Sequence, residues 1–206
     1  MAKRSNKSTL KRTDHHAIIR IAVFGVLTVA SVGLFLFGMV NNSNGSVERF
    51  DRLVAVDQAG GDVEEALTEL RDYIYTHMNT ELGGPNGIYP PIQLSGTYNR
   101  LIEQEEARVV AVNEKVNDDA ATVCEQRFPA GQLRSGRVQC VQEYLEQNTV
   151  RVKSIDDSLY KFNYVAPRWS PDLAGFSLLA AGIFGFITVF NLLLHLRTKH
   201  LINSSN

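Results

Sequence analysis

Cys124 and Cys140 are the two cysteines of this 206-residue chain, and a covalent cross-link is the chemistry their spacing suits. Neither has a second cysteine at the CxxC spacing of a zinc site, so a disulfide is expected in an oxidising compartment. His77 and Glu105 each fall on an otherwise apolar helical stripe. A buried contact between them would favour protonated histidine and could respond to pH, although a satisfied polar layer that fixes helix register is the simpler expectation. Asn148 is a lone polar residue on an apolar seam, a placement that commonly sets register or oligomer state. Asp118-Asp119 and Asp156-Asp157 are adjacent aspartates; on a helix such neighbours point about 100° apart and they fit no calcium loop, so they read as solvated surface. Arg71, Arg100, Arg108 and Tyr98 could line a pocket for a carboxylate, against the ordinary reading of helical arginines as surface charge. The sequence holds no nucleophile elbow, phosphate-binding loop, HExxH or paired-histidine spacing. A non-enzymatic protein without cofactor or metal is expected.

The elements that would carry these residues are sharply segregated. Ile21 to Val40 is a run of twenty residues without a charge, and Leu173 to Leu196 is a run of twenty-four without a formal charge. A membrane-crossing helix needs about 20 mostly apolar residues, and buried core helices of that length normally carry a polar face. Lys3, Arg4, Lys7, Lys11, Arg12 and Arg20 precede the first run, and Arg197, Lys199 and His200 follow the second. Positive flanks stay in the cytoplasm. Residues 41–172 hold 13 Lys and Arg against 21 Asp and Glu, a net of −8, and are expected on the outer side. The first run is longer than a signal-peptide core and lacks a small-x-small cleavage pattern after it, so it reads as an uncleaved anchor.

The expected organisation is therefore a basic cytoplasmic start (1–20), a first transmembrane helix (21–40), an extracytoplasmic helical domain (41–172), a second transmembrane helix (173–196) and a cytoplasmic tail (197–206), in the cell membrane. Within the outer domain, a short helix over 46–58 stops at Gly60-Gly61. A second starts at Asp62 and ends near Leu82, before Gly83-Gly84-Pro85. The loop 83–95 carries Ile88, Tyr89, Ile92 and Leu94 back to the membrane surface. A third helix spans 97–127. The fourth keeps strict three-four spacing through Val138, Val141, Leu145, Asn148, Val152, Ile155, Leu159 and Phe162, the period of a coiled-coil or bundle seam. The fold class expected is all-α: two transmembrane helices flanking an up-down-up-down four-helix bundle with a long antiparallel hairpin. The hairpin midpoint near Gln132 lies eight residues from each cysteine, which sets the two thiols at matching heights.

A span, a helical outer module and a second span resemble the sensory half of chemoreceptors and membrane histidine kinases, over residues 21–196 and by topology alone. The resemblance implies ligand sensing. Three features depart from it: ten residues follow the second span, too few for an output domain; Asn41-Asn42-Ser43-Asn44-Gly45 is expected to interrupt the first span's helix; and Pro167 and Pro171 break the path into the second, where Ser170-Pro171-Asp172 reads as a helix start. A signal would then have to pass to a partner. Ser177, Ala181 and Gly185 recur every four residues on the second span and form a close-packing face, either for a partner or for the chain's own first span. The expected partners are membrane lipid and another protein or further copies of this chain. A small-molecule ligand is a second option, and the basic start fits anionic lipid better than nucleic acid.

Overall fold

The computed structural model describes residues 2–80, 82, 92–129 and 134–204, with side chains described for 15–80, 82, 92–129 and 135–200. Among them are five helices: α1 (Ala2–Ala59), α2 (Val63–Thr76), α3 (Ser95–Arg127), α4 (Arg134–Asn148) and α5 (Leu173–Ser204). One antiparallel ladder joins β1 (Ile92–Gln93) to β2 (Lys161–Phe162), pairing Ile92 with Phe162. The protein is mostly helical, as expected. It divides into two compact units, one of Met1–Leu53, Glu64–Gly87 and Tyr164–Asn206, the other of Val54–Val63 and Ile88–Asn163.

The expected break at Asn41–Gly45 does not occur. Helix α1 runs through it for 58 residues, a length of about 87 Å. The turn-forming side chains that should break it are taken up elsewhere. Asn42 and Ser46 are buried; the Asn42 amide donates to the Met78 carbonyl and to Asp172, and Ser46 Oγ donates to the Ser43 carbonyl. At Gly45 the Tyr73 hydroxyl occupies the place a Cβ would need, so this glycine is a packing notch rather than a breaker. The helix does stop at the glycines after it. Gly60 takes φ +70°, its N–H meets the Asp57 carbonyl and the Gly61 N–H meets the Val56 carbonyl, which is the Schellman arrangement. The short first helix expected over 46–58 is thus the end of α1.

Helix α2 has Glu64 and Glu65 in its first turn, where the helix dipole favours acids, and buries Ala66, Leu70 and Ile74. It ends at Thr76, short of Leu82; the stop expected at Gly83-Gly84-Pro85 and the surface residues Ile88 and Tyr89 lie outside the described residues. Ile92 and Leu94 are described, and both are buried in the second unit. Helix α3 matches its expected span. Helix α4 does not: it ends at Asn148, about half the expected length, and residues 149–156 carry no regular structure before a single 3-10 turn at Asp157–Leu159. Val138, Val152 and Leu159, expected on a buried seam, are each at least half exposed. The four-helix arrangement expected from the sequence therefore lacks its second long outer member.

Candidate functional site

In the first unit, α1 and α5 are each long and apolar enough to cross a membrane. Their mutual face is made of small and polar residues. Ser31, Ala174, Ser177 and Asn191 are buried; a Cβ on Gly38 would come within 2.8 Å of the Ala174 nitrogen, and one on Gly185 would touch Thr28 at 3.7 Å. Phe24 and Phe184 meet with ring centroids 6.1 Å apart. The polar groups bond within their own helices, as Thr28 to the Phe24 carbonyl, Thr188 to Phe184 and Asn191 to Ile187, so they cost little in an apolar surrounding. Val26, Val29, Phe37, Phe176, Ile183 and Phe186 point outward, each more than half exposed. Of the expected packing face, Ser177 is buried, Ala181 half-buried and Gly185 set beside Thr28. At Gly185 the face meets the chain's own first helix. Gly25, Gly33 and Gly182 have open space beside them.

At the top of this pair is a polar junction. Asn42 Nδ2 donates to Asp172 Oδ2 at 2.6 Å and to the Met78 carbonyl at 3.1 Å, the Met78 N–H donates to Ser170 Oγ at 3.0 Å, and Asn79 Nδ2 donates to the Met39 carbonyl at 3.1 Å. Asn79 reaches it through φ 60°, a left-handed conformation that asparagine tolerates. Asp172 also accepts the Gly175 N–H at 2.9 Å and so caps α5. Burial alone pushes the Asp172 carboxyl up, but hydrogen bonds from Gly175, Asn42 and Ser170, with His77 nearby, outweigh it and hold the group below the usual carboxylate range. Alongside, the Arg49 guanidinium lies 3.9 Å from the Tyr73 ring centroid, and the His77 ring stacks on the same tyrosine with centroids 4.1 Å apart. Arg49 and Arg52 both reach Glu69.

The second unit is organised by a different acid. Asp57, in the last turn of α1, is 1% exposed. Its carboxylate accepts the N–H groups of Gly96 and Thr97 at 2.7 Å each, the Thr97 hydroxyl at 2.6 Å and Arg100 Nη2 at 3.2 Å. Leu94, at the N-cap of α3, offers no side-chain cap, so Asp57 satisfies the helix's unpaired first-turn donors from outside. Gly96 permits the approach, since a Cβ there would run into the Asp57 backbone.

Helices α3 and α4 are antiparallel, and the two sulfurs of Cys124 and Cys140 stand at disulfide distance, with Cα atoms 5.8 Å apart. Glu125 pairs with Arg137. Beyond α4 the chain continues down α3 as an extended strap. Asn113 exchanges two hydrogen bonds with the Val150 backbone, at 3.0 and 2.9 Å, and Glu105 accepts the Lys153 N–H at 3.0 Å. The Leu94 N–H then donates to the Tyr160 carbonyl, where Tyr98 also packs against Tyr160. As numbers fall along α3 from Glu125 to Leu94, partner numbers rise from Arg137 to Tyr160.

The remaining candidates find separate partners. His77 bonds to the Tyr73 carbonyl and Thr76 within its own turn. Glu105 bonds Arg108 and the strap; these bonds, from the Arg108 side chain first and the Lys153 N–H second, hold its carboxyl at about 2. His77 and Glu105 thus each have a local set of partners. Asn148 is exposed at the end of α4 and bonds the Tyr144 carbonyl, so it occupies no seam. Arg71 pairs with Asp72, Arg100 with Asp57 and Arg108 with Glu105, so each charge has a carboxylate of its own. Asp156 and Asp157 are exposed, as expected of solvated surface, and lie at a 3-10 turn rather than on a helix: Asp156 caps the turn through Ser158, and Asp157 takes Tyr160 and Lys161. Among the described residues no cluster of three or more His, Cys, Asp or Glu could hold a metal ion. No known protein family matches the chain, and no curated protein or solved structure is similar to it.

Proposed function

We propose that this protein is anchored in the cell membrane by residues 21–40 and 173–196, with both termini cytoplasmic, and that residues 41–172 act outside through non-enzymatic contact with another protein or with further copies of the chain. The polarity of the α1–α5 pair supports the anchoring. Its buried residues include Ser31, Ala174, Ser177 and Asn191, and its most exposed side chains are valine, leucine, isoleucine and phenylalanine. That order suits a hydrocarbon solvent, where close backbone approach and internally bonded polar groups hold helices together.

The observation that carries the contact role is the α3–α4 hairpin. Helix α3 is 33 residues long, yet Ala120 and Cys124 are its buried residues, and Val110 and Val123, with Val138 on α4, remain exposed. A hairpin tied at disulfide distance with so little core keeps its shape without covering its apolar side chains, which leaves them for a partner. Crosslinking in native membranes through Lys115 and Lys153, followed by mass spectrometry, tests this. A stoichiometric partner, or a second copy joined through these lysines, is the expected product. Recovery of uncrosslinked monomer alone contradicts the proposal.

A second reading, a ligand-sensing subunit that hands its signal to a separate output protein, is favoured by one observation. Helix α1 is unbroken from Ala2 to Ala59, so a displacement near Asp57 has a continuous helix along which to travel. Stabilisation of the full chain by one member of a metabolite panel in a thermal-shift screen would select this reading.

A further inference from the structure

We propose that Val165, Arg168 and Trp169, together with Leu173 and Phe176 in the first turn of the second span, form a shoulder that lies in the lipid–water interface of the outer leaflet, so that phospholipid is bound by the segment preceding that span as well as by the spans. The inference rests on the anchoring proposed above and extends it to Val165, Arg168 and Trp169, which lie outside both spans.

The shoulder is continuous with the outward face of α5. Phe176 is on that face, opposite the buried Ala174 and Ser177, and Trp169 packs edge-on against it with centroids 6.0 Å apart. The indole is therefore level with the first turn of the helix. Its height is fixed by the junction: Ser170 Oγ is buried on the Met78 N–H, and Asp172 is held by Asn42 and the Gly175 N–H. Ser170 and Asp172 thus turn inward, while Val165, Trp169 and Leu173 remain exposed at 64%, 43% and 48%.

The backbone agrees with the placement. Pro167 and Pro171 carry no N–H, which removes two donors that would otherwise go unsatisfied where water is scarce. Trp169 supplies an apolar body with one N–H, the combination favoured at headgroup level. Arg168 is exposed beside it, and a guanidinium matches the geometry of a lipid phosphate.

Trp169 is the chain's single tryptophan, so its fluorescence reports this site alone. The full chain is reconstituted in phosphatidylcholine–phosphatidylglycerol vesicles, recovery is checked by flotation, and emission is quenched by lipid brominated near the carbonyl, by lipid brominated near the chain end, or by aqueous iodide. The expected result is blue-shifted emission, quenched several-fold more strongly by the shallow bromine than by either alternative. Strong iodide quenching in protein that floats with the vesicles overturns the shoulder and leaves the anchoring intact. Insensitivity to every quencher also overturns it, because protein then covers the indole. Protein that fails to float removes both proposals.

Discussion

Between α1 and α5, glycines provide close contacts, Gly38 against Ala174 and Gly185 beside Thr28. Between α3 and α4 the tie is Cys124 to Cys140, and below it the strap is held by Asn113 and Glu105 reaching for backbone. The first region buries Ser31, Ser177 and Asn191 and displays many of its large apolar residues; the second buries little and displays charge. The contrast shows how the surrounding solvent sets what must be covered. Where the exterior is proposed to be hydrocarbon, packing of backbones is the available attraction. A thin hairpin in water has little apolar area to bury, and cross-links and charged caps take over.

The largest effect expected belongs to the second region. Asp57→Ala leaves the first-turn donors of α3 and the Arg100 guanidinium without their buried acceptor. A loss of about 3–5 kcal/mol follows, to be read from thermal unfolding of the full chain by circular dichroism in detergent micelles. Cys124→Ser with Cys140→Ser should cost roughly 3 kcal/mol in the same assay, and the unreduced wild type should migrate faster than the reduced form on a gel. In the first region, Gly38→Val drives a side chain into Ala174 and should cost about 1–3 kcal/mol, whereas Gly25→Val, with open space beside it, should cost close to nothing. Equal effects at the two glycines would erase the difference between an inner and an outer face.

The smallest effect is a pH dependence. The Glu105 carboxyl is held down to about 2, first by Arg108 and then by the Lys153 N–H. A depressed pKa contributes stability that is complete above the unfolded value of about 4.3. That contribution is lost as pH falls toward about 2. Hydrogen exchange at the Lys153 amide, corrected for intrinsic rate, should therefore stay protected down to about pH 4 and weaken below it. Glu105→Gln should flatten that profile.

Composition made the two apolar helices, the span of α3 and the facing cysteines legible, because each depends on local periodicity or on spacing across one short connection. Asn41–Gly45 misled because its turn propensity was overridden by partners far away in sequence, Met78, Asp172 and Tyr73. Residues 149–162 misled for another reason. Val152, Ile155 and Leu159 continue a helical period, but α3 supplies Asn113 and Glu105 to an extended backbone there. The β-branched Thr149, Val150 and Val152, interleaved with Arg151 and Lys153, were the available sign of it. Asp57 could not have been singled out from local pattern, since its importance is that α3 begins beside it.

The most direct test of the central claim is labelling of introduced cysteines with a membrane-impermeant maleimide on intact cells. Lys115→Cys, on α3, is expected to be labelled from outside, and Ala2→Cys only after the membrane is opened. Labelling of Ala2→Cys in intact cells, or protection of Lys115→Cys until they are opened, would contradict the account.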